Sequence, residues 1–183
     1  MSIFDTRKKI SRNAMKCLIE QSINNLLQPM EKVIKDLSIP NHDLAVINTY
    51  VINCELCRYE LYNNNSKEDI DFISNKIYDN FLYNKGLNEQ QINIIKDIIS
   101  KTKNKCDEIF PSKKLLAPLD RFSYRLFLEQ LDMREDSIDS SLLSELKYCA
   151  TTWVNNAKGI NSAYSIDNSV EEKQKNESID IRF

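Results

Sequence analysis

The pair Cys54-x-x-Cys57 is the first place in this chain where residue type and spacing suit chemistry. Two thiolates at that spacing can hold zinc or form a redox couple. A structural zinc site needs two further ligands, and the candidates His42, Cys17, Cys106 and Cys149 do not form a second close pair. Zinc and redox cysteines are also exposed at turns or helix starts. Cys54 and Cys57 instead fall in mid-helix on an apolar stripe beside Tyr50 and Leu61, which is the setting of buried thiols. The expectation is therefore core packing and no cofactor, with Cys54 and Cys57 as metal ligands held as an alternative.

His42 is the only histidine, so any imidazole mechanism has to use it. Without His/carboxylate pairs on facing helices, di-iron chemistry of the bundle type is excluded. The carboxylate pairs fare no better. On a helical wheel Glu55 and Glu60 lie about 140° apart, and Asp69 and Asp71 about 200°. Neither pair shares a face, so both read as solvated charge. With only two glycines, Gly86 and Gly159, and neither in a glycine-rich turn, phosphate loops and nucleophile elbows have no material.

The remaining candidate is basic and aromatic. Between Lys96 and Arg125 there are eight Lys/Arg against four Asp/Glu, and from Leu126 to Lys147 two against six. Lys113, Lys114, Arg121 and Arg125 are the residues to contact nucleic acid, with Tyr124 placed to stack on a base. The i, i+4 pair Arg121/Arg125 suits ion pairs with Glu129 or with the acidic segment equally well. Adjacent segments of opposite sign point to complementarity within the chain. For a protein partner, the residues singled out are Arg121, Tyr124, Arg125, Phe127 and Trp153, the aromatics serving as anchors if they are exposed.

The elements that must position these groups are helical. The run from Asn41 to Tyr62 carries a broad apolar stripe through Tyr50, Val51, Cys54, Cys57 and Leu61, and a narrower one through Ala45, Ile52, Leu56 and Tyr59. A helix apolar on two faces is packed from both sides, so 41–62 is expected to be the central helix. Before it, 3–28 reads as a long helix capped near Asp5, kinking or restarting at Pro29. After it, Ser66 with Asp69 and Asn88 with Gln91 mark two N-termini, and Gly86 marks a left-handed cap. Pro118–Leu131 and a run from Asp139 or Ser140 to Gly159 complete about six helices, and no strand is evident.

These features predict an all-α bundle over residues 1–159 followed by a polar tail at 160–183. A net charge of −2 argues against a basic nucleic-acid coat. No signal peptide or membrane span is expected, and five cysteines suggest free thiols in a reducing cytoplasm. By elimination the expectation is a non-enzymatic cytoplasmic interaction module, an accessory, immunity or regulatory protein, that binds a protein partner or a second copy of itself through a helix face or groove. A nucleic-acid-binding regulator using 96–125 is the alternative.

Overall fold

The order of elements follows from where apolar periodicity starts and stops. The computed structural model describes residues 5–83, 86–109 and 118–170. A short strand β1 (Lys8–Ile10) leads into helix α1 (Arg12–Asp36), followed by α2 (His42–Leu61), α3 (Lys67–Tyr83) and α4 (Glu89–Ile109). Helix α5 (Leu119–Gln130), a 3-10 turn (Glu135–Ser137), α6 (Ser140–Ala163) and strand β2 (Tyr164–Ile166) complete it. The chain is an all-α bundle.

Helix α2 is its centre. Asn41 caps it, accepting the Leu44 N–H at 3.0 Å. Every residue from Asn48 to Arg58 is buried, and the helix packs against α1, α3, α4, α5 and α6. Both apolar stripes find neighbours, as a doubly amphipathic pattern demands. Tyr50 stacks on Phe81 of α3 with ring centroids 4.4 Å apart. On the α5–α6 side Phe127 meets Trp153 edge-on at 6.2 Å.

The local entry signals form as their sequences dictate. Asn88 and Gln91 exchange side-chain-to-backbone hydrogen bonds at 2.9 and 3.0 Å, a complete capping box. Ser66 Oγ accepts the Asp69 N–H at 3.2 Å. Gly86 sits at φ +62°, where a Cβ would strain the backbone.

Three expectations need correction. Helix α1 starts at Arg12 with Ser11 as its cap, not near Asp5, and it runs unbroken through Pro29. Residues 8–10 and 164–166 form a parallel two-stranded sheet, Lys8 opposite Tyr164 and Ile10 opposite Ile166. The expected boundary at 160 falls inside α6, where Ile160 and Asn161 are buried. Gly159 ends nothing, because a helix held by packing on both sides tolerates the roughly 1 kcal/mol that a glycine costs. Beyond Val170 the expected tail lies outside the described residues, as do Lys113 and Lys114.

Candidate functional site

The carboxylate expected to be solvated is among the most deeply buried groups in the protein. Glu55, 1% exposed, receives Arg58 Nη2 at 2.7 Å and Arg58 Nε at 3.1 Å. Its second oxygen also accepts the Tyr78 hydroxyl of α3 at 2.9 Å. Arg58 reaches on to Tyr62 at 3.0 Å and to Asp107 in the last turn of α4. Burial lowers the proton affinity of the Arg58 guanidinium; Glu55 beside it, with hydrogen bonds to Glu55, Asp107 and Tyr62, more than reverses this. The Tyr78 hydroxyl and the Cys54 thiol are pushed up, by burial first and then by neighbouring acidic groups. Glu60 is buried as well, and burial raises its carboxyl. This cluster, one guanidinium facing two carboxylates, ties α2 to α3 and α4.

The thiol metal site held as an alternative does not assemble among the described residues. Cys54 and Cys57 are both buried, and burial lifts the Cys57 thiol to about 12. No group of three or more His, Cys, Asp or Glu among the described residues is arranged to hold a metal ion. His42 lies on the surface, 3.6 Å from Glu31 and 3.5 Å from Asp43.

The basic-aromatic stretch is dispersed. Arg121 is exposed, but Arg125 pairs with Glu135 at 3.3 Å, so the acidic segment neutralises its neighbour. Tyr124 is buried, with its hydroxyl 3.2 Å from Glu135 and Lys147 over its ring. Lys101 pairs with Asp97 and Lys105 with Glu129. Phe127 and Trp153, at 0% and 1% exposure, are core residues and present nothing to a partner.

What the structure does offer is a groove of about 1290 Å³ running along α4 and closed by the end of α5. Helix α4 turns Ile95, Ile98, Thr102 and Cys106 into the core. The adjoining stripe, from Glu89 through Asn93, Ile94, Asp97, Lys101 and Lys105 to Glu108, lines the groove. Thr102 and Gln130 bridge α4 to α5 at 3.1–3.2 Å. Asn48 of α2 also lines the groove, though the residue is only 1% exposed. Its amide nitrogen donates to Leu44 O at 2.8 Å, while its Oδ1 accepts no hydrogen bond among the described residues. Ile94 stands 46% exposed beside these polar groups. Asn48 lies between the two apolar stripes of α2, and its place at the groove depends on α4, which no local pattern reveals.

No helix among the described residues is long and apolar enough to cross a membrane. No protein-family model matches the chain, and no curated protein or solved structure shows significant similarity to it.

Proposed function

We propose that this chain is a protein-interaction module that receives a segment of a partner protein in the groove between α4 and α5. The observation that carries the reading is the groove itself, with Ile94 on its wall and Asn48, whose buried Oδ1 accepts no hydrogen bond among the described residues, in its lining. A buried acceptor without a donor costs about 1–3 kcal/mol, a cost that a docked N–H removes. An exposed apolar residue flanked by polar groups is the usual make-up of a helix-face docking site. Five free cysteines suit a reducing compartment, in keeping with a cytoplasmic role. An accessory or regulatory module fits this reading better than an enzyme. Glu55 is engaged by Arg58 and Tyr78, and in the basic stretch Lys101, Lys105 and Arg125 are engaged in ion pairs.

The test is native mass spectrometry of the protein purified from the cells that make it, comparing wild type with Ile94→Arg and Tyr148→Ser. Tyr148 is 76% exposed and lies outside the groove, so it serves as the control surface. A complex lost in Ile94→Arg and kept in Tyr148→Ser supports the groove. The opposite pattern, or co-purifying nucleic acid in place of protein, refutes it.

A further inference from the structure

The groove's charge selects its occupant. Five carboxylates line it (Glu89, Asp97, Glu108, Glu129, Asp132) against two lysines. Both lysines are already engaged, Lys101 with Asp97 at 2.9 Å and Lys105 with Glu129 at 3.4 Å. Glu89 is placed where an acid belongs, in the first turn of α4. Glu108 and Asp132 are not. Glu108 sits in the last turn of α4, and Asp132 follows the end of α5, where the helix macrodipole is already negative.

The Thr102–Gln130 and Lys105–Glu129 contacts set the C-terminal end of α5 beside the second half of α4, and Glu108 and Asp132 both line the groove there. Neither Glu108 nor Asp132 has an ion pair among the described residues, and neither helix has a basic residue in its last turn. Asp132 moreover holds φ +53°, a left-handed conformation that favours glycine. The arrangement leaves negative potential without a cation to meet it.

Resting on the reading of the groove as a docking site, we infer that its occupant is a basic segment of a partner protein. Its lysine or arginine side chains meet Glu108 and Asp132, and an N–H reaches Asn48 Oδ1. The lined face of α4, Glu89 to Glu108, is about 28 Å long at helical rise, so it accommodates a helix of about 19 residues.

A phage-displayed library of random peptides of about that length, selected on the immobilised full chain, tests this without presupposing a sequence. Selected clones are then measured by fluorescence anisotropy at low and high salt, against wild type, Glu108→Lys/Asp132→Lys, the shape-conserving Glu108→Gln/Asp132→Asn, and Asn48→Leu. The expected result is enrichment of Lys/Arg peptides whose affinity falls at least tenfold with the charge reversal, less with the neutral pair, and also with raised salt. Enrichment of acidic or neutral peptides that Ile94→Arg abolishes overturns the basic occupant while leaving the groove as a docking site. Peptides indifferent to every groove substitution, or no enrichment, overturn both. A homodimer that dissociates on charge reversal names a second copy as occupant and also overturns the inference.

Discussion

Replacing Arg58 with methionine tests whether the buried cluster holds the bundle together. In the native protein Arg58 donates to both Glu55 oxygens at 2.7–3.2 Å, to Tyr62 at 3.0 Å and to Asp107. Arg58→Met leaves Glu55, at 1% exposure, with only the Tyr78 hydroxyl. An uncompensated buried charge of this kind costs about 3–5 kcal/mol. For a chain of this size that is a fall in Tm of about 10 °C. Asp107→Asn is the contrast. Its side chain is 49% exposed, so water screens it and the expected loss is about 1 kcal/mol or less.

The double substitution Glu55→Leu/Arg58→Met decides between charge and packing. With both charges gone no ion is stranded, and the remaining penalty is the unpaired Tyr78 hydroxyl, about 1–3 kcal/mol. The double variant should therefore be more stable than Arg58→Met alone, with a coupling energy of at least about 2 kcal/mol in a double-mutant cycle. Urea unfolding with a common slope gives all four corners of the cycle. If the two single losses simply add, the cluster contributes through side-chain volume and the electrostatic argument is wrong.

Four further outcomes are expected. Trp153→Ala should lower stability by about 3–5 kcal/mol, because the indole is 1% exposed and its removal leaves a cavity; a change in partner affinity without a change in the urea midpoint would contradict the burial. Glu60→Gln should gain on wild type as pH rises. Burial raises the folded carboxyl above its ordinary value of 4.5, so the folded state binds the extra proton and wild-type stability falls from about that pH upward through the folded pKa. Melts at pH 4 and pH 7 should therefore show the gap between the two proteins widening at pH 7, and a constant gap would refute it. Thiol titration of the native protein should find one fast-reacting cysteine, Cys17, with Cys54, Cys57, Cys106 and Cys149 reacting only on unfolding. Asp132→Gly should relieve the strained φ of +53°, adding up to about 1 kcal/mol of stability, while weakening capture of basic peptides. Gain in both properties would remove Asp132 from the docking site.

The fold was legible where its causes are local. Stripes at helical spacing, the Asn88/Gln91 box and Gly86 each act within a turn or two of chain, and each forms as expected. The strands were not legible, since Lys8–Ile10 becomes a strand only by pairing with residues more than 150 positions away. The end of α6 was misread for a related reason. Gly159 and the fading periodicity are local stop signals, overridden because Ile160 and Asn161 are packed into the body.

The site was misread through one assumption about α2, that its carboxylates Glu55 and Glu60 face water. Two apolar stripes on one helix imply neighbours on both sides, and with five helices around it there is no sector left for solvent. Asn48, Thr49, Asn53, Glu55 and Arg58 are therefore buried along with the stripes. Each then has to find partners internally: Thr49 and the Asn53 amide nitrogen donate to carbonyls one turn back at 2.9 and 2.8 Å, and Glu55 is met by Arg58 and Tyr78, while the Oδ1 atoms of Asn48 and Asn53 accept no hydrogen bond among the described residues. A polar residue between two apolar stripes thus marks where a central helix must find partners, and in α2 the partners run out at the Oδ1 atoms of Asn48 and Asn53, of which Asn48 alone lines the groove. Where that unpaired acceptor meets the groove, a segment from outside the bundle can supply what the surrounding helices do not.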